Sequence, residues 1–165
     1  MSTVACCAVL IVLFIVTLTN ITSGKSNIYE TAIEKKINGA VIQGVDLPLS
    51  YQYNNAVLKA IEFELLEFDK SVNSATVNFS YVDVLALADT YTESLNDVDA
   101  FYRHCIDRIT NGMAPMLSKT ISVRYIESKY EGPSRCIVID SLELADIMTG
   151  GVASAYIKLT GVEIE

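Results

Sequence analysis

The chain has no tryptophan, a single histidine, 3 prolines and 4 cysteines, and it carries 12 Lys and Arg against 20 Asp and Glu. With a formal net charge of -8 and no cluster of cations, nucleic acid is excluded as an expected partner, because phosphate contacts need grouped Lys and Arg. One histidine and no CxxC pair leave too few ligands for a zinc site, so no metal or other cofactor is expected. Collagen, coiled-coil arrays and polytopic membrane proteins are excluded by the lack of a G-X-Y period, a sustained heptad or a second long apolar run. What is present is 51% hydrophobic residues in a length of 165, which is one domain's worth of chain and too apolar for disorder.

The apolar content is unevenly placed. Val4 to Leu18 runs for roughly 15 residues without charge or glycine, shorter than the roughly 20 a bilayer span needs, and the first charged side chain is Lys25. This is the pattern of a secretory signal peptide, with Thr22 and Gly24 as the small residues before a cut. The sequence therefore predicts a signal peptide over 1–24 and one secreted domain over 25–165. An ectodomain retained by an uncleaved signal-anchor is the alternative, and a cleaved signal would leave no stable membrane insertion.

Secretion gives the remaining cysteines a meaning. Cleavage removes Cys6 and Cys7 and leaves Cys105 and Cys136, an even pair expected to bridge in an oxidising compartment. A bridge closing a loop of about 31 residues would contribute roughly 2–4 kcal/mol. Two separate buried thiols are the alternative, since free cysteine is among the most buried residue types. Asn78-Phe79-Ser80 matches the N-glycosylation pattern, in a strand-like context that could face outward or inward.

Periodicity sets the fold class. Lys25 to Lys36 reads as a polar lead-in, and the Gly and Pro punctuation of residues 37–49 reads as a short strand and loop. Within Asn54 to Lys70, Leu58, Ile61, Leu65 and Phe68 recur at helical spacing, yet Ile61-Glu62-Phe63-Glu64-Leu65 alternates as a strand does. Length and Ala, Leu, Glu and Lys content favour a helix there. Val77, Phe79 and Tyr81 alternate with polar residues as a strand, and Val84 to Ala88 either continues it or begins a buried helical turn. Ser94 to Gly112 predicts a helix with acids in its first turn, Cys105 on its apolar stripe and Asn111-Gly112 as its C-terminal stop. Strands are expected at 120–125, at 156–159, and as a central strand at 136–139, with Gly150-Gly151 as a turn. The sum is an α+β domain: an antiparallel sheet of four or five strands packed by two helices.

Candidate chemistry is thin. Any nucleophile–histidine pair must use His104, which stands inside the 94–112 helix with no G-x-S-x-G elsewhere. Asp97 and Asp99 fit helix-start acids better than a metal-nucleotide motif. Glu62/Glu64 and Asp140/Glu143 are acid pairs of the kind glycoside hydrolysis uses, but carboxylates are common throughout the chain. Nine tyrosines without tryptophan suit a recognition surface, with Tyr51, Tyr53, Tyr125 and Tyr130 near expected loops and strand ends. The expected function is a secreted, non-catalytic binding domain for an extracellular protein or an apolar ligand. A small secreted hydrolase using acidic residues or His104 is the competing reading.

Overall fold

The computed structural model describes residues 28–43, 46–69, 71–92, 97–128 and 135–160. Its element order is α1 (28–40), α2 (Leu49–Lys59), β1 (Glu62–Asp69), β2 (Ser74–Val82), α3 (Val84–Asp89), α4 (Val98–Thr110), β3 (Met116–Ser128), β4 (Arg135–Val138), α5 (Leu142–Met148) and α6 (Val152–Thr160). The strands form one antiparallel sheet in the order β1-β2-β3-β4. The architecture is the expected α+β class, with four strands among the described residues, but six helices stand there where two were expected.

Alternation builds the sheet's two faces. Ala75, Val77, Phe79 and Tyr81 of β2 and Ile121, Val123 and Tyr125 of β3 are buried on one face, while Thr76, Asn78 and Ser80 take the other. Tyr29, Ile33 and Ile37 of α1 and Leu144 and Ile147 of α5 cover the buried face. Tyr29 stacks on Phe68 at 3.9 Å between ring centroids and lies 4.9 Å from Tyr125, closing one end of this core. The last residue of β2, Val82, enters a second cluster with Leu87 and Cys105, packed by Tyr53, Phe101 and Ile109. That cluster joins α2, α3 and α4.

Several sequence expectations are corrected. Residues 28–40 are helical, not a polar lead-in followed by a short strand; Tyr29, Ile33 and Ile37 recur every fourth position and bury against the sheet. The helix expected over 54–70 stops at Lys59, and residues 62–69 are β1. Phe63 and Leu65 face inward, Leu66 is an unpaired extra residue in a bulge, and Phe68 returns to the core opposite Ala75. The bulge resets the inward phase, which is why the apolar spacing imitates a helix. Residues 136–138 of the 136–139 run lie in β4, at the sheet edge and not its centre, and Ile137 is exposed there.

The strand expected at 156–159 is part of α6. Two side chains of the preceding helix and turn satisfy that helix's first free N–H groups: Thr149 Oγ1 accepts from Ala153 N at 3.1 Å, and Asp146 Oδ1 accepts from Ser154 N at 2.9 Å. The Gly150-Gly151 turn is present with both glycines at positive φ. In α4 the N-cap is Asp97, accepting from Ala100 N at 2.9 Å, and the Asn111-Gly112 stop is as expected.

Candidate functional site

The 40–43 segment is held against α2 by one side chain. Asn55 Oδ1 accepts from Ile42 N at 3.0 Å while its Nδ2 donates to Ile42 O at 2.9 Å, a two-point clamp on a single backbone unit. It fixes Ile42 beside α2. From the other direction, the α5–α6 corner brings Met148, Thr149 and Val152 toward α2, its turn bound by the Thr149 and Asp146 caps. Between these walls lies a cleft of about 450 Å³, lined by Ile42, Tyr51, Tyr53, Val57, Leu58, Met148 and Val152, with Asn54, Asn55 and Thr149 as its polar members. That size and this mainly apolar lining fall within the range of small-molecule sites.

The lining is graded in exposure. Val57 and Leu58 form a buried floor, and Ile42 and Tyr51 stand at the rim, each 43% exposed. From Val152 the apolar character continues along α6, because Tyr156 and Leu159 follow at i+4 and i+7 on the same helix face. Leu159 is 87% exposed. Tyr53 projects the other way as well, its ring 5.4 Å from Tyr102. Burial raises its phenol to about 12, with Cys105 and Tyr102 adding to the shift. Its hydroxyl is therefore a neutral group at the junction of the cleft and the α2–α4 cluster.

The histidine does not form a nucleophile pair. His104 Nε2 lies 3.0 Å from Thr90 Oγ1, and the Thr90 hydroxyl donates its one proton to Leu87 O at 2.6 Å. Thr90 can then only accept from the ring, so Nε2 carries the hydrogen and cannot act as base toward Thr90. The Tyr91 ring packs 5.3 Å from the imidazole. His104 is half-buried in a helix-to-helix contact.

The cysteines are likewise unsuited to nucleophilic work. Burial raises the thiol pKa of Cys105, and burial first and Glu127 second raise that of Cys136, away from the thiolate that reacts. The expected Cys105–Cys136 bridge is not formed in this structure. Both are free, Cys105 in the helical cluster beside Val82 and Leu87, Cys136 packed against the separate α1–sheet core.

The remaining candidates are dispersed. Glu62 and Glu64 project from the outer face of β1, and Asp140 pairs with Lys36 at 2.6 Å. Tyr125 is buried in the core, not at a surface, and Tyr130 lies outside the described residues, as does the expected 1–24 leader. Asn78 stands on the outer face of β2, where its Oδ1 accepts from Ser118 Oγ and Thr120 Oγ1. Asp146 is the buried carboxylate that sequence reading passed over. It lies 3.7 Å from Lys119 Nζ and its role is the α6 cap already described. Among the described residues no cluster of His, Cys, Asp and Glu is placed to hold a metal ion, and no helix is long and apolar enough to cross a membrane.

Fold and geometry together define a small α+β domain with an apolar cleft among its helices. Comparison with family models, with curated proteins and with solved structures finds no match.

Proposed function

We propose that this protein is a secreted, non-catalytic binding domain whose ligand is a small apolar molecule held in the cleft between α2 and the α5–α6 corner. The observation that carries the reading is the cleft itself: a buried apolar floor at Val57 and Leu58, an apolar rim at Ile42, Tyr51 and Val152, and few polar groups, Asn54 and Asn55 on the α2 wall and Thr149 on the α5–α6 wall. An apolar ligand gains roughly 25 cal/mol per Å² of apolar surface withdrawn from water. The donor role of His104 and the two protonated thiols favour binding over hydrolysis. Export follows from the uncharged apolar segment that precedes Lys25.

Two experiments test this. Organic extraction of protein purified from a lipid-containing medium, followed by mass spectrometry, should recover an apolar compound in stoichiometric amount. Titration with a dansyl-labelled fatty acid should show saturable binding that Ile42→Asp and Val152→Asp each weaken at least about tenfold, since each brings a carboxylate to the apolar rim. Circular dichroism checks that both variants fold. No binding, or binding indifferent to both substitutions, would refute the assignment; a protein recovered on the wild-type domain but lost from both variants would show that the rim instead docks a polypeptide.

A further inference from the structure

The register of the sheet decides what the Asn78-Phe79-Ser80 pattern leaves open. Phe79 is fully buried in the core, so its neighbours Asn78 and Ser80 must both project from the opposite face. Asn78 pairs with Glu64 on one side and Thr120 on the other, and its row neighbours are Thr76 and Ser80. These are small or flexible polar side chains, and Ser118, Thr120 and Glu64 are exposed. The two hydroxyls of Ser118 and Thr120 approach Oδ1 at 3.1 and 3.2 Å. They occupy the oxygen and leave Nδ2 as the free end of the carboxamide.

We propose that Asn78 carries an N-linked oligosaccharide on this outer sheet face, an inference that rests on the secretion part of the proposed function. In the transfer, the bond from the sugar C1 to the pyrophosphate of a lipid-linked oligosaccharide donor breaks, and the lipid pyrophosphate leaves with the electron pair. A new bond forms from Asn78 Nδ2 to C1, and one amide proton passes to a base of the transferase. No oxidant or reductant is involved. The folded domain tolerates the product because the glycan leaves from a face on which small polar side chains surround Nδ2. An inward Asn78 would have placed it in the core.

The consequence is a molecule with two unlike sides. None of the described residues lining the cleft belongs to a strand, so the glycan covers the sheet and leaves the helical binding face open. It also shields the outer face from edge-to-face association with other chains.

Expression of the full chain in cultured eukaryotic cells tests this. Enzymatic deglycosylation in heavy-oxygen water, followed by peptide mass spectrometry of medium and lysate, should mark Asn78. Ser80→Ala and Asn78→Gln should each abolish the mark and the accompanying mobility shift, while Ser80→Thr retains both. Ser80→Ala leaves the Asn78 carboxamide and its two hydroxyl partners in place, so its effect is not one of unfolding. Deglycosylated and glycosylated protein should bind the dansyl fatty acid equally. Unmodified Asn78 in protein recovered from the medium would overturn the glycan while leaving secretion standing; protein confined to the lysate with Asn78 unmodified would overturn both.

Discussion

Gly150 is the position where a single methyl group should do most damage. It is the residue after the Thr149 cap of α5, at φ +64, with Gly150 N donating to Ile147 O at 3.2 Å and Gly151 N to Asp146 O at 2.8 Å. This is the Schellman arrangement. Gly112 occupies the same position after α4, at φ +69, with Gly112 N donating to Ile109 O and Met113 N to Arg108 O. The two differ in surroundings. A Cβ on Gly112 would meet nothing, whereas one on Gly150 would lie 2.7 Å from Val82 O and overlap the Val84 side chain.

The comparison therefore separates backbone strain from steric overlap. An L residue at this φ costs about 1–2 kcal/mol, and loss of unfolded-state freedom offsets part of that equally at both sites. Overpacking adds about 1–3 kcal/mol, and at Gly150 it falls on a backbone oxygen that cannot rotate away. Val84 N also donates to Gly150 O at 3.0 Å, so movement of the turn breaks a tie between the α5–α6 corner and the start of α3. Gly112→Ala should lose about 1 kcal/mol, and Gly150→Ala about 1–3 kcal/mol more, in urea unfolding followed by far-ultraviolet circular dichroism. Equal losses at the two sites would refute the close approach of the α5–α6 turn to β2, and with it the position of one wall of the cleft.

Two further outcomes follow from burial. Alkylation of the native protein without reductant should label Cys136, which is partly accessible, and spare Cys105, which is 1% exposed, until denaturant is added; a linked peptide containing both cysteines would contradict their separation into two clusters. The raised phenol of Tyr53 favours the folded state only while protonated, so its contribution is complete below its ordinary pKa of 10.0 and is lost as pH rises toward about 12. Urea midpoints should fall across that window and fall less steeply in Tyr53→Phe, and an unchanged slope in that variant would count against its burial.

Where local pattern and tertiary partner agree, the sequence is legible. β2 reads as a strand because Val77, Phe79 and Tyr81 alternate without interruption, and α4 reads as a helix because acids gather at its start, Cys105 lies on an apolar stripe and Asn111-Gly112 stops it. β1 was ambiguous for a physical reason: Leu66 inserts an extra residue, shifting Phe68 from the alternating register to a helix-like spacing, and only pairing with β2 removes the ambiguity. α6 resembles a strand in sequence because four alternating residues suggest one, while the groups that stabilise the helix start, Asp146 and Thr149, belong to the preceding helix and its cap. α1 was legible in principle. Its Tyr29, Ile33 and Ile37 spacing was hidden by surrounding charges that face solvent.

The candidate site was less visible. Tyr51 and Tyr53 are notable by composition, but the cleft is assembled from residues 40–42, 51–58 and 148–152, and no local pattern announces that those segments meet. The Asn55 clamp on Ile42 bonds backbone groups that every residue type presents, so the sequence carries no mark of it. His104 attracted notice for its rarity, whereas the hydrogen-bond partner that disarms it, Thr90, lies on the far side of the α3–α4 connection.

The most direct test of a binding cleft among the helices is a chemical-shift map of isotope-labelled protein titrated with the dansyl fatty acid. Saturable shifts are expected at Ile42, Tyr51, Asn55, Met148 and Val152, with the outer sheet residues Thr76, Asn78 and Ser80 unmoved. Shifts centred on the outer face, or none at saturating ligand, would contradict the cleft as the binding site.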